Sequence, residues 1–232
     1  MPLPQQLSLN VQLRDDATLD NYLFSQSNLA LRGVLQGLLA GDQESIVYVH
    51  GASDSGKSHL LQACCHLATF GQALYLPMKE LLEYPPQEVL QGVEAMNLVC
   101  LDDIDVVSGN TEWELSLFHF YNRAREAGCR LLVSANAAPR ALEVSLADLA
   151  SRLSWGLVYR LTAPDDSERV AILCFRAERR GLHLSYEVAS YILGRAPRSV
   201  SHLLEVLEKL DKASLVEQRA LSIPFVKKAL KW

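Results

Sequence analysis

The chain has 232 residues, of which 49% are hydrophobic, and a formal net charge of −5 at pH 7. This length supports one sizeable core with a small second domain, and the negative charge argues against a general basic surface for nucleic acid. No apolar run approaches the roughly 20 residues that a membrane-spanning helix needs, and the N-terminus lacks the features of a signal peptide. We therefore expect a soluble cytoplasmic protein whose partners are proteins.

The elements follow in chain order. Residues 1–16 are polar and contain two prolines, which predicts an extended tail. Apolar residues from Leu29 onward have helical spacing and end at Gly41, a typical helix terminator. Five apolar runs predict strands, with helices between them: Ile46–Val49, Ala73–Leu76, Leu98–Leu101, Arg130–Ser134 and Leu157–Leu161. The alternation predicts an α/β domain over 17–163 with a five-stranded parallel sheet.

No strand pattern follows Pro164. Helical spacing over 166–180, 186–195, 199–212 and 225–231 predicts a small all-helical domain at 164–232. The five cysteines never occur as C-x-x-C, and we expect buried thiols. The six histidines show no metal-ligand spacing.

A phosphate-binding loop lies between the first strand and the next helix. Its pattern, G-x-x-x-x-G-K-S, supplies backbone N–H groups that wrap phosphates, a lysine for the β/γ-phosphates and a hydroxyl for Mg²⁺. The loop and the residue after it are Gly51, Ala52, Ser53, Asp54, Ser55, Gly56, Lys57, Ser58 and His59. The alternative is a Gly/Ser-rich turn without a ligand, but helix N-termini are natural anion sites.

Two carboxylates end the third strand, where ligands bind in open parallel sheets. We expect Asp102 to hold Mg²⁺ through water, together with the Ser58 hydroxyl, and Asp103 to orient the attacking water. A strand-ending turn with solvated acids is the alternative. Two acids near phosphates are costly unless a cation lies between them.

Three further polar residues are candidates for phosphate chemistry. Asn136 follows the fourth strand and can reach a γ-phosphate and its attacking water, or be an ordinary turn asparagine. Arg152 lies between a helix and the fifth strand, and its planar charged fork suits stabilisation of a phosphoryl group in a partner; the alternative is a surface ion pair. Arg198 starts a helix of the second domain, from which it can fold over a nucleotide or remain a surface charge.

This order of parts resembles the AAA+ ATPases, specifically the ATPase region of the replication initiator DnaA and its short homologues. The resemblance spans nearly the whole chain after the tail. It is carried by 19–23, 51–61, 101–104, 118–122, 151–157 and 168–173. It implies an AAA+ P-loop NTPase fold with a helical lid, Asp102 and Asp103 as the Walker B pair, Asn136 as sensor 1, Arg152 as arginine finger and Arg198 as sensor 2. It also implies nucleotide contacts from Tyr22 and Leu23.

The tail contains a segment similar to the short peptides that dock on the bacterial sliding clamp, the β subunit of DNA polymerase III. A glutamine enters a polar subsite and apolar residues fill a groove, which requires an extended segment. The motif is Gln6, Leu7, Ser8, Leu9, Asn10 and Val11. Its last two residues are less apolar than the pattern prefers, and an ordinary tail is the alternative. The printed sequence ends at Trp232 without a DNA-binding domain such as DnaA has, so direct DNA binding is not expected.

Two departures from the family pattern concern hydrolysis. Asp54 replaces a glycine of the DnaA loop, and Asp103 is shorter than the usual glutamate. Asp tolerates positive φ, so the loop can form, but an added carboxylate disfavours a triphosphate. The hypothesis is a stably bound nucleoside diphosphate such as ADP, with or without Mg²⁺, and weak or no autonomous hydrolysis.

The resemblance then implies a negative regulator of replication initiation. Held on the DNA-loaded clamp, the chain would offer Arg152 to ATP-bound DnaA, stimulate hydrolysis there and leave DnaA in its inactive ADP form. Two alternatives are an autonomous ATPase that acts as a loader or remodeller, and a non-catalytic adaptor stabilised by its nucleotide. The preferred base and the oligomeric state stay open.

Overall fold

The computed structural model describes residues 13–41, 45–68 and 72–232. The chain divides into two compact units, Met1–Thr162 and Ala163–Trp232. The tail residues 6–11 of the sequence motif lie outside the described residues. The last residues of the predicted tail, Leu13–Asp16, pack against the rest of the first unit. The backbone N–H of Arg14 donates to Gln62 Oε1 at 3.0 Å, and Leu13 packs on the apolar core that contains the helices Leu29–Ala40 and Lys57–Leu67.

A five-stranded sheet forms the centre of the first unit, and all its paired strands are parallel. The strands are β1 (Ile46–His50), β2 (Ala73–Pro77), β3 (Leu98–Asp102), β4 (Arg130–Ala135) and β5 (Leu157–Arg160). Their order across the sheet is β2-β3-β4-β1-β5. The predicted parallel sheet is confirmed, and β1, which leads into the phosphate loop, is an interior strand.

Six helices flank the sheet within the described residues of this unit. They are α1 (Leu29–Ala40), α2 (Lys57–Leu67), α3 (Met78–Leu81), α4 (Pro86–Val89), α5 (Thr111–Ala127) and α6 (Ala147–Leu153). The pattern predicted α1, α2 and α5. The four-residue helices α3 and α4 were not predicted, because one helical turn is too short to show apolar periodicity.

Both faces of the sheet are buried along β1, β3 and β4, which explains their continuous apolar runs, whereas the edge strand β5 is mostly exposed. Successive residues of a strand point to opposite faces, so Ile46 and Tyr48 join a core with the aromatic residues of α5, while Val47 and Val49 join a core with α1 and α2. The strands are thereby fixed in register, and the polar residues after β1, β3 and β4 meet at one edge of the sheet.

The second unit contains α7 (Asp166–Glu178), α8 (Tyr186–Leu193), α9 (Val200–Glu217) and α10 (Ile223–Leu230) around its own apolar core. Asp165 begins α7 with a capping box, in which its side chain accepts from the N–H of Glu168 and the Glu168 carboxylate accepts from the N–H of Asp165. Helix α9 runs five residues beyond the predicted end at Lys212, since buried Ser214 continues its inner face. In the described part of the chain, no helix is long and apolar enough to cross a membrane.

Candidate nucleotide-binding site

The phosphate loop connects the end of β1 to the first turn of α2. Gly56 has φ of +92°, and a Cβ there would lie 2.7 Å from the Tyr22 ring, so only glycine fits. Asp54 has φ of +67°, which is the left-handed conformation expected for the residue that replaces a glycine. The loop therefore forms with Asp54 in place, and the N-terminus of α2 faces its interior.

Lys57 is buried in this loop, with 5% of its surface exposed. Its Nζ donates to Gly51 O at 2.8 Å, Ala52 O at 3.0 Å and Asn136 Oδ1 at 3.2 Å. Burial lowers the pKa of Lys57, and nearby carboxylates, first Asp103, oppose that shift. The ammonium is held by neutral carbonyl oxygens, which anionic phosphate oxygens can replace.

The loop has one buried polar atom with no partner among the described residues, Ser55 Oγ. Ser55 is 4% exposed, and its hydroxyl lies inside the loop that surrounds Lys57. A buried hydroxyl without a partner is costly. Together with the N-terminus of α2, it fits a bound phosphate, whose oxygens would accept these hydrogen bonds.

Asp102 ends β3 and is 3% exposed. Its Oδ2 accepts from the Tyr75 hydroxyl at 2.5 Å, and its Oδ1 accepts from the Ser134 hydroxyl. Burial, followed by the charge of Asp102, raises the pKa of Tyr75, so Tyr75 remains a donor. Two hydroxyls from neighbouring strands thus fix this carboxylate, and neither Tyr75 nor Ser134 was predicted as a site residue.

Asp103 follows directly and adopts the left-handed conformation, with φ of +56°. Its backbone N–H donates to Ser134 Oγ at 2.9 Å, and its carboxylate forms an ion pair with Lys79, with Nζ and Oδ2 2.6 Å apart. The hydrogen bond to Asp103 raises the pKa of Lys79. The carboxylate assigned to the attacking water is therefore paired with a lysine that sequence reasoning missed.

Asn136 follows β4 and is held by Asp105, which was also missed. Asp105 Oδ1 accepts from the Asn136 backbone N–H at 3.0 Å, and Oδ2 accepts from Asn136 Nδ2 at 2.9 Å. Since Asn136 Oδ1 also accepts from Lys57, the side chains of Asp105, Asn136 and Lys57 form a continuous chain of contacts.

The segment before α1 contacts the same loop. The Tyr22 hydroxyl donates to Ser55 O at 3.3 Å, and the Tyr22 and His59 rings lie 5.6 Å apart. His59 Nε2 lies 2.9 Å from Thr18 O. Leu23 is half-buried beside Tyr22, whereas Ser53 is exposed at the rim of the loop and Ser58 is half-buried in the first turn of α2.

Arg152 lies in the last turn of α6 and is half-buried. Its Nε donates to Asn122 Oδ1 at 3.0 Å, and its guanidinium carbon lies 3.9 Å from the Trp155 ring centroid and 5.5 Å from that of Phe118. One hydrogen bond and two aromatic contacts therefore orient the guanidinium.

Arg152 lies near the end of the sheet opposite to the phosphate loop. Gly156, next to Trp155, packs so closely on the first residue of β1 that a Cβ would lie 2.1 Å from Ile46 O. The phosphate loop follows the last residue of β1, about 13 Å farther along a strand of this length. A cavity of about 450 Å³ opens at the Arg152 end, lined by Ser45, Ile46, Arg125, Trp155 and Gly156.

The remaining predicted residues divide into two groups. Arg198 belongs to the helical unit, where its 70% exposed side chain pairs with Asp166, Nη1 and Oδ2 being 3.1 Å apart. Gln6, Leu7, Ser8, Leu9, Asn10 and Val11 lie outside the described residues. Among the residues that are described, no three His, Cys, Asp or Glu side chains form a metal-binding cluster.

A phosphate loop on an interior strand, with polar residues after the neighbouring strands and a separate helical unit, defines an AAA+ P-loop NTPase. The family model "Bacterial DnaA ATPase domain" matches residues 79–160, and the model "Hda, lid domain" matches residues 166–230. An uncharacterized protein of Haemophilus influenzae is 42% identical over 229 residues, which cover 97% of this chain and 98% of that protein. The chain belongs to the Hda/DnaA-like family of AAA+ proteins.

Solved structures show the same fold. Domain III of Thermotoga maritima DnaA matches with a TM-score of 0.76 and 20% identity, covering 95% of this chain and 98% of that one. AMPPCP-bound DnaA from Aquifex aeolicus matches with a TM-score of 0.72 and 22% identity, covering 88% of this chain and 68% of that one. The RuvB branch migration motor of Thermotoga maritima matches with a TM-score of 0.68 and 15% identity, covering 93% of this chain and 71% of that one.

Proposed function

We propose that this chain is a nucleotide-bound regulator of DnaA that supplies Arg152 in trans to ATP held by DnaA. The observation that carries the proposal is the location of Arg152, near the sheet end opposite to its own phosphate loop. A guanidinium held there by Asn122 and Trp155 cannot serve its own nucleotide, but it can serve one in an adjacent molecule. Arginine fingers supplied in trans raise the rate of nucleotide hydrolysis by a factor of about 10³ to 10⁵.

The chain's own site favours retention of a nucleotide over hydrolysis. Gly51, Ser53, Asp54, Ser55, Gly56, Lys57, Ser58 and His59 are proposed to bind an ADP-like diphosphate, with Tyr22 and Leu23 beside the base. Mg²⁺ would join through Ser58 and Asp102. The ion pair between Asp103 and Lys79 supports weak autonomous hydrolysis, because this carboxylate already contacts an ammonium instead of being free to orient an attacking water.

The partners follow from the family and from the tail. We propose that related AAA+ domains pack against each other. The proposed recipient of Arg152 is therefore the AAA+ domain of DnaA. Gln6–Val11 are proposed to hold the chain on the sliding clamp, and Arg198 to act as sensor 2 toward the chain's own nucleotide. The outcome is ADP-bound DnaA and fewer initiation events.

The experiment measures hydrolysis of ATP bound to purified DnaA, with the chain and DNA-loaded clamp added separately and together. We expect stimulation only in the complete mixture, and none with Arg152→Ala. The matched control is Arg125→Ala, which removes another guanidinium from the Trp155 ring, 4.7 Å from its centroid, and should retain stimulation. Brisk turnover by the isolated chain would instead support an autonomous ATPase.

The clamp contact is tested on the tail. Gln6→Ala combined with Leu9→Ala should abolish capture on immobilised clamp while nucleotide binding is unchanged. Unchanged clamp capture would mean that this segment is not the docking peptide. Stimulation that survives Arg152→Ala while clamp capture is intact would favour a non-catalytic adaptor.

A further inference from the structure

Asp105 fixes the direction in which the Asn136 side-chain amide points. Its two carboxylate oxygens accept from the backbone N–H and from Nδ2 of Asn136, at 3.0 and 2.9 Å. Because the carboxylate only accepts hydrogen bonds, it selects the NH₂ end of the amide. The oxygen end therefore faces Lys57, with Nζ 3.2 Å from Oδ1.

Both partners are held in place by the fold. Asp105 lies in a short 3-10 helix, Ile104–Val107, whose end residues are both buried in the core of the sheet. On the other side, the Tyr48 hydroxyl donates to Ala137 O at 3.0 Å and fixes the residue after Asn136. The contact between Asp105 and Asn136 thus joins two anchored segments, which favours one direction of the amide.

The direction of the Asn136 amide affects how favourably a γ-phosphate can bind beside Lys57. In phosphate loops the lysine contacts the β- and γ-phosphates, and here the lysine already has an acceptor, Asn136 Oδ1. A γ-phosphate oxygen must compete with this amide oxygen for the ammonium, and two acceptors that face each other repel. An amide turned the other way would present a donor to the same oxygen.

We propose that Asp105 determines how many phosphates this site prefers: by holding the Asn136 amide oxygen toward Lys57, it disfavours a triphosphate relative to a diphosphate. Asp105 is a positioning residue that acts through Asn136. The inference rests on the proposed nucleotide site at Gly51–Ser58 and is independent of the role of Arg152 toward DnaA.

The test measures the affinities of ADP and the non-hydrolysable analogue AMPPCP by calorimetry, with Mg²⁺ present. The intact chain should bind ADP more tightly. Asp105→Ala should reduce the preference for ADP over AMPPCP by roughly tenfold, the size expected for one hydrogen bond to a charged group. Asp105→Asn serves as a second variant of the same volume; its amide has one acceptor oxygen for the two Asn136 donors and no charge, so it should shift the preference in the same direction by a smaller factor.

A double-mutant cycle separates positioning from simple removal of a negative charge. In the Asn136→Ala background, Asp105→Ala should change the ADP preference by no more than about twofold, because there is no amide to position. An equal change with and without Asn136 would overturn the inference and leave the proposed function intact. Failure of the intact chain to bind either nucleotide would overturn both.

Discussion

Glu114 gives the sharpest stability prediction, because its carboxylate joins two loops to α5. The side chain is 1% exposed. Oε1 accepts from the N–H of Gly109 at 2.8 Å and of Ser145 at 3.1 Å, and Oε2 accepts from the N–H of Leu146 at 2.8 Å. Leu146 immediately precedes α6, so this carboxylate also fixes the start of the helix that carries Arg152.

Glu114→Gln keeps the volume but leaves only one acceptor oxygen. Whichever way the amide turns, at least one of the three N–H donors faces an NH₂ group and loses a hydrogen bond to a charged acceptor. Such a bond contributes about 1.5 to 3 kcal/mol, and the remaining bonds weaken as the charge is lost. We therefore expect the free energy of unfolding to fall by about 2 to 3 kcal/mol.

Urea-induced unfolding followed by tryptophan fluorescence measures this change, since the neighbouring Trp113 is buried. Glu112→Gln is the matched control, because Glu112 is exposed in the same helical turn and should cost less than about 1 kcal/mol. A loss below about 0.5 kcal/mol for Glu114→Gln would mean that the two loops do not depend on this carboxylate.

Three further predictions concern other parts of the chain. Gly56→Ala should lower ADP affinity at least roughly tenfold in calorimetry, because the residue has φ of +92° and its Cβ would meet Tyr22; unchanged affinity would contradict the loop conformation. Asp165→Ala should lower the midpoint of chemical denaturation, because it removes the cap of α7; an unchanged midpoint would contradict the capping box. Burial, followed by the charges of Arg160 and Lys57, lowers the pKa of His50, so the unfolded state binds a proton first and stability falls as the pH drops below about 6.5. His50→Gln should weaken this loss between pH 7 and 5 in denaturation at each pH, and an identical pH profile would contradict it.

The sheet and the phosphate loop could be predicted because each depends on residues that are contiguous in the sequence. Strands β1, β3 and β4 are apolar runs buried on both faces, and the loop is one contiguous motif between β1 and α2. The prediction that Asp54 can occupy a glycine position agrees with its positive φ.

The polar partners were not predictable in the same way. The ion pair of Lys79 with Asp103 joins residues 24 apart, and the contact of Asp105 with Asn136 joins residues 31 apart. Both depend on the register of strands β2, β3 and β4, which no local pattern records. Asp105 lies two residues after Asp103 in the sequence, but only the fold reveals that it faces Asn136.

Arg152 is proposed to act on a nucleotide held by another molecule. The most direct measurement is single-turnover hydrolysis of ATP preloaded on DnaA, with loaded clamp and either the intact chain or Arg152→Ala. We expect the variant to fold, to bind ADP normally and to lower the stimulated rate by a factor of at least about 10³, the lower end of known trans arginine effects. Stimulation by Arg152→Ala equal to that of the intact chain would contradict it.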